Sequence, residues 1–191
     1  MLTSFEHYKY RLVKHFNSVG DKPKRRLYSF KSTKSNQTYH VWVECYPMNF
    51  YGIKFHLKSH SESELKYNVL TNLKEARPVI FTCIKIMLDI HREIDNSSFG
   101  FIGSGSIGTL IKKSKTGELI KVDIDEDDFN TKRYRRYKQI MITYISRAVF
   151  EHVENIDKSA YMLIRKSELE KDPNLIDKIN MYFSDTYNNF D

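Results

Sequence analysis

The 191-residue sequence predicts an α+β fold on three observations. Residues 1–71 alternate apolar and polar side chains, as half-buried strands do. The alternation then gives way to a helix that is apolar nearly all round. Short alternating segments and amphipathic helices follow it to the C-terminus. The expected architecture is an N-terminal antiparallel β-meander covered by a long central helix, followed by a C-terminal β-α-β-α segment that extends the sheet. One domain is expected over residues 1–191, with the antiparallel sheet in 1–71, helices and additional strands in 72–191, and a frayed tail at 185–191.

Tyr8 to Val13 and Arg26 to Phe30 alternate on either side of a loop from Asn17 to Pro23. A turn at Ser35-Asn36 leads into Thr38 to Tyr46, whose β-branched and aromatic residues mark a central strand closed by Pro47 and Asn49. In Gly52 to Leu57, one face takes Ile53, Phe55 and Leu57 and the other Lys54 and His56; Leu65 to Leu70 is expected to pair back as a hairpin strand. A helix is expected over about 74–94. Only Lys85 and Asp89 interrupt its apolar middle, so it should lie buried across the sheet, and Pro78 suits its first turn. Ser98 to Gly103 reads as a short strand, and Ile107 to Lys112 with Glu118 to Ile124 as a hairpin turning at Thr116-Gly117. The second long helix is expected over about 129–147, with Asp127 or Asp128 as N-cap and Tyr134, Tyr137, Ile140, Met141, Tyr144 and Ile145 as its apolar stripe. Phe150 to Glu154 and Ser159 to Arg165 form a further strand pair. Pro173 opens a final helix that buries Leu175, Ile176, Ile179, Tyr182 and Phe183.

A hydrophobic content of 40%, with 14% aromatics, belongs to globular chains and excludes a disordered one. The formal charge is +7, from 31 Lys and Arg against 24 Asp and Glu, so any preference for polyanions must come from clustering. Cys45 and Cys83 both sit in apolar segments and read as reduced thiols in a reducing compartment. The N-terminus has no apolar signal region and no window reaches the roughly 18 uncharged apolar residues of a membrane span, so a cytoplasmic protein without membrane contact is expected.

Catalytic motifs are sparse. Gly103-Ser104-Gly105-Ser106-Ile107-Gly108 matches G-x-G-x-x-G, but a dinucleotide site needs a helix opening at Gly108, and the chain instead turns at Thr116-Gly117; a Gly/Ser turn is expected. Gly103-Ser104 ahead of Asp123-Ile124-Asp125 resembles the arrangement in polymerase-β-type nucleotidyltransferases. That resemblance implies two carboxylates on one side of a strand holding Mg²⁺ for in-line phosphoryl transfer. The interval is longer than in that family, and a hairpin turn stands where the family has a helix. Asp123, Asp125 and Asp127 also have the opening spacing of a calcium loop, yet Asp128 occupies the glycine position and Tyr134 that of the bidentate glutamate. The spacing of Arg147 and His152 is similar to that of HEPN ribonucleases, whose chemistry sits on an all-helical bundle. The seven histidines are dispersed, with no metal spacing. No catalytic residue and no cofactor is therefore expected.

The sharpest signal is the start of the second long helix, where Lys132, Arg133, Arg135, Arg136 and Lys138 are interleaved with Tyr134 and Tyr137. Cations at a helix N-terminus oppose the macrodipole at roughly 0.3–1 kcal/mol each. A chain that accepts that cost has use for an anion or an acidic surface there. Lys22, Lys24, Arg25 and Arg26 form a second cluster, expected in a loop, and Lys112, Lys113 and Lys115 a third. The expected function is a small binding module that engages nucleic acid, nucleotide phosphates or an acidic protein partner through the basic helix start. The alternatives are a metal-dependent nucleotidyl or phosphoryl transferase using Asp123 and Asp125, and a protein-interaction subunit of antitoxin-like type.

Overall fold

The computed structural model describes residues 6–20, 22–68, 74–102, 107–113, 119–125 and 129–187, with 107–113, 119–125 and the last two residues described by backbone alone. It is a mixed α/β structure: a seven-stranded, mostly antiparallel sheet with four helices. Strands β1 (Tyr10–Phe16), β2 (Lys24–Lys31), β3 (Thr38–Tyr46) and β4 (Phe50–Leu57) pair antiparallel in sequence order. Helix α1 (Ala76–Glu93) then crosses over to β5 (Ser98–Ile102), which lies parallel to β4 with Gly52 opposite Gly100. β8 (Phe150–Asn155) and β9 (Ala160–Arg165) complete the order β1-β2-β3-β4-β5-β9-β8. Strands β6 (Ile107–Lys113) and β7 (Leu119–Asp125) form the expected hairpin, but as a separate two-stranded ladder instead of an extension of the sheet.

Alternation along the strands builds two cores. Tyr28, Val41, Val43, Ile53, Phe99 and Phe101 meet α1 and α2 (Lys132–Tyr144) on one face. Tyr46, Phe50, Met162 and Ile164 meet α4 (Leu175–Tyr187) on the other. Strand β9 serves both, Tyr161 and Leu163 in the first core and Met162 and Ile164 in the second. Its unbroken apolar run follows from being buried on two sides. The second face needs close approach: a Cβ on Gly100 would stand 2.5 Å from the ring of Phe50, and one on Gly52 3.0 Å from that of Tyr46. Both glycines are thus fixed by the rings lying on them.

Helix α1 buries Val79, Ile80, Phe81, Cys83, Ile84, Ile86, Met87 and Ile90, each side chain contributing roughly 1.5–3 kcal/mol by leaving water. Thr82, also buried, accepts the backbone N–H of Tyr8 at 2.9 Å and so ties the approach to β1 onto the helix. The two charges inside the helix are accommodated: Asp89 accepts from Lys85, Tyr10 and Arg92. Among the described residues no helix is long and apolar enough to cross a membrane.

At the head of α1 lies Glu75, a carboxylate only 2% exposed. Its oxygens accept from Ser32 Oγ at 2.5 Å, Tyr39 OH at 2.7 Å, Ser35 Oγ at 2.8 Å and Tyr8 OH at 3.3 Å. Burial works to raise its pKa, but the four donated hydrogen bonds outweigh it and hold the carboxyl below its ordinary 4.5. The positive end of the helix macrodipole acts in the same sense.

Several segments depart from the sequence expectation. Residues 65–68 form hydrogen-bonded turns after a single 3-10 turn at Lys58–His60, so no strand pairs back there; residues 69 and 70 lie outside the described residues. Serines and charged side chains from Lys58 to Lys66 favour local turns over a ladder. The N-cap of α2 is Thr131, whose Oγ1 accepts Tyr134 N–H at 3.1 Å, in place of Asp127 or Asp128. A short helix α3 (Lys166–Lys171) precedes α4, which runs to Tyr187.

Ile84 is fully buried, so Ile84→Asp is expected to abolish the cooperative thermal transition, because an unpaired charge enters an apolar interior; retention of that transition would displace α1 from the core. Glu75→Gln is expected to cost roughly 2–4 kcal/mol in chemical denaturation, since buried hydroxyls lose a charged acceptor. The depressed pKa sets the sign of the pH dependence. The stabilisation is complete above 4.5 and is lost as pH falls through the lower folded-state value. The Gln variant lacks that part of the acid transition.

Candidate functional site

The basic start of α2 is built on a clamp. Asn130 N–H donates to Ile156 O at 3.2 Å and Thr131 N–H to Ser159 Oγ at 2.9 Å, which fixes the helix start to the β8–β9 turn. Tyr134, Tyr137, Ile140 and Met141 are buried, so three- and four-residue spacing turns the cations outward. Tyr137 packs between Phe55 and Phe101, and the Tyr134 hydroxyl donates to Glu154 at 2.9 Å.

The five cations do not act alike. Arg133 is half-buried and donates to the Tyr67 carbonyl, Arg135 donates to the Asn130 carbonyl, and Lys138 pairs with Glu154 at 2.6 Å. These three are engaged in holding α2 and its neighbours. Lys132 and Arg136 are exposed. Arg136 joins two cations from the head of α1, Lys74 and Arg77, in lining a groove of about 530 Å³ between the helices. Its walls are completed by Ala76, Ile80, Gln139, Ile140, Thr143 and Tyr144. Among the described residues no carboxylate lines it.

Among the described residues Arg77 is held in place without a counter-ion. Its Nη2 donates to Tyr144 OH at 2.8 Å, and the guanidinium lies over the Phe81 ring at 5.3 Å. Phe81 in turn meets Tyr144 edge-on at 4.9 Å. The planar fork is thereby presented with little rotamer freedom left to lose, which favours bidentate contact with phosphate oxygens. Lys74 carries a left-handed backbone, φ 50°, and its carbonyl accepts Lys34 Nζ at 3.2 Å, adding a fourth cation beside the groove. Glu75, between Lys74 and Arg77, faces inward to its four hydroxyls.

Of the second basic cluster, Lys22 lies in the loop before β2, bridged to Val19, while Lys24, Arg25 and Arg26 sit on strand β2, where alternation divides them. Lys24 is exposed; Arg25 and Arg26 point to opposite faces. Arg26 reaches α1 and pairs with Glu93 at 2.7 Å. Arg25 lies over the rings of Phe16 and Trp42 at 5.6 and 5.1 Å. The structure does not merge Lys24, Arg25 and Arg26 with the α2 start into one patch. Lys112 and Lys113 fall on β6, and Lys115 lies outside the described residues.

The other motifs divide similarly. Gly108 lies in strand β6, so no helix opens there to meet a pyrophosphate; residues 103–106 lie outside the described residues. Asp123 and Asp125 stand on β7, opposite Thr109 and Ile107, and are described by backbone alone, while Asp127 lies outside the described residues. Arg147 is exposed, but His152 is buried on β8 with Nδ1 2.7 Å from the Tyr161 hydroxyl, a packed histidine in a mixed sheet. Burial lowers its pKa, and the Arg147 charge adds to this. Cys45 and Cys83 are both free thiols, and burial pushes the Cys83 pKa up. Among the described residues no group of three His, Cys, Asp or Glu side chains is placed to hold a metal.

Sequence reasoning passed over Lys74 and Arg77. The available signal was a second helix start with cations against its dipole, Lys74-Glu75-Ala76-Arg77. Thr131→Ala is expected to lower stability by about 1 kcal/mol, the usual cost of an N-cap, read as a reduced urea midpoint at unchanged m-value. No protein-family model, no curated protein and no solved structure matches this chain.

Proposed function

We propose that the protein is a cytoplasmic nucleic-acid-binding module that grips backbone phosphates in the groove between the heads of α1 and α2. The observation that carries this reading is the convergence of Lys74, Arg77 and Arg136 on one groove that no described carboxylate lines. Cations brought together without acids attract polyanions through counterion release and do so with little regard to sequence. The apolar floor from Ile80 and Ile140 and the amide of Gln139 suit a sugar-phosphate backbone better than a bare ion. The two free thiols suit a reducing compartment.

Binding, on this reading, is electrostatic in origin and positional in effect. Arg77 supplies an oriented fork, Lys74 and Arg136 supply charge on either wall, and the exposed Lys132 extends the field along α2. No bond is made or broken.

The triple variant Lys74→Gln, Arg77→Gln, Arg136→Gln removes three phosphate-facing charges. For a mixed-sequence oligonucleotide, the slope of log affinity against log salt is expected to shrink by about two to three units. Thermal stability should fall by only about 1 kcal/mol, since Arg77 gives up its contacts with Tyr144 and Phe81 while none of the three has an ion-pair partner among the described residues. Anisotropy titrations at several salt concentrations, with melting curves, measure both. An unaltered slope with intact folding would remove the groove from the binding surface.

A further inference from the structure

We propose that the face of β1–β4 turned away from α1 is a base-stacking surface for single-stranded nucleic acid. The proposal rests on the nucleic-acid reading above and names both the form of the ligand and a second surface that reads it.

Helix α4 covers only part of this face. Its cluster takes Tyr46 from the end of β3, Phe50 from the start of β4, and Met162 and Ile164 from β9, and nothing from β1 or β2. On the part that α4 leaves uncovered among the described residues, cross-strand register aligns an aromatic row. Phe16 stands opposite Arg25, Leu27 opposite Trp42, Trp42 opposite Lys54, and His40 opposite His56. The Phe16 and Trp42 rings are 5.3 Å apart. Trp42 Nε1–H donates to His56 Nε2 at 3.3 Å, and His56 Nδ1 is 2.8 Å from the Leu57 carbonyl, which fixes the neutral tautomer with its proton on Nδ1. Tyr67 then packs edge-on against His56 at 5.4 Å, and its own carbonyl accepts Arg133, so the segment bearing this ring is tied to α2.

Cations accompany each ring. Lys14 lies over Phe16 at 5.0 Å, Arg25 over both Phe16 and Trp42, and Lys54 and Lys66 over Tyr67 at 6.0 and 5.7 Å. One acid, Glu44, shares the face, and it is already engaged by Lys54 at 2.8 Å and the Tyr46 hydroxyl at 2.6 Å. Arg25 forms no salt bridge among the described residues, and its shielded Nε has no hydrogen-bond partner there. Half-buried rings alternating with cations across a sheet are what unpaired bases and their phosphates require: each ring or guanidinium plane offers a stacking partner, each cation a phosphate contact. Duplex bases are already stacked on one another and cannot use such a surface.

Trp42 is the only tryptophan in the chain, so its fluorescence reports on this face directly. The probes are a ten-residue oligothymidylate, a duplex of the same length, and inorganic polyphosphate, each titrated at fixed salt. Oligothymidylate is expected to quench Trp42 emission with the same midpoint as its anisotropy, while polyphosphate binds without quenching and the duplex binds more weakly without quenching. Phe16→Leu, which keeps apolar bulk on an edge strand, and Tyr67→Leu are each expected to weaken oligothymidylate binding by about tenfold and leave polyphosphate affinity unchanged. The groove variant weakens both ligands. Oligothymidylate binding with unchanged Trp42 emission, equal quenching by the duplex, or full affinity in both leucine variants overturns the stacking surface while the groove reading stands. Binding of polyphosphate alone also overturns it and leaves this face to a protein partner; binding of none of the probes overturns both readings.

Discussion

A carboxylate buried beside a helix start is costly unless every lone pair is met, and the placement of α1 follows from how Glu75 meets this demand. Its four donors come from three separated parts of the chain: Tyr8 before β1, Ser32 and Ser35 after β2, and Tyr39 on β3. None of these hydroxyls could reach the others' acceptor without the sheet already in register. The head of α1 is therefore fixed over the far ends of β1–β3, and its apolar length has one course across the strands. The same arrangement sends Lys74 and Arg77 outward while the intervening acid turns in, so a local sequence of mixed charge presents an exclusively basic outer surface.

The sheet's two faces carry different tasks because only one is fully roofed. On the α1 and α2 side the aromatic and aliphatic rows are closed off from water. On the other side α4 settles where Gly52 and Gly100 let the Tyr46 and Phe50 rings lie against the backbone, and Phe183 packs on both rings at 4.9 and 5.4 Å. A side chain at either glycine would lift those rings and with them the helix. The glycine pair thus decides how far the roof extends, and leaves β1 to β3 under a layer of lysine, arginine and histidine instead.

Much of this was legible residue by residue. Helix α1 showed itself because Val79 to Ile90 is apolar nearly all round, broken only by Lys85 and Asp89, and β3 because Thr38 to Tyr46 is dense in β-branched and aromatic residues. The strand expected at Leu65 to Leu70 failed because an apolar residue every few positions is equally well served by turns when no neighbour offers a free edge. The cap at Thr131 was hidden by the more obvious acids before it; what selects the threonine is its backbone contact with Ser159, twenty-eight residues away. The basic site was half readable. Lys132 to Lys138 advertised itself as a run, yet three of its cations are consumed by Tyr67, Asn130 and Glu154, and the groove is completed by residues of α1. Proximity between two helix heads is a property of packing and leaves no mark in either segment alone.

The outer strands also determine where the sheet stops. β1 is interrupted by a bulge between Leu12 and Lys14 and exposes Arg11, Lys14 and His15; β8 carries Glu151 and Glu154. A bare, flat border is a template on which a second molecule can add its own strand. Here the basic border repels its own copy, and the acidic border of a neighbour is already neutralised by Lys166 at 3.5 Å and Lys138 at 2.6 Å. Neither like-with-like nor crosswise zippering of sheets is favoured. Ion pairs that add little to the folding of one molecule thereby discourage runaway self-association among many.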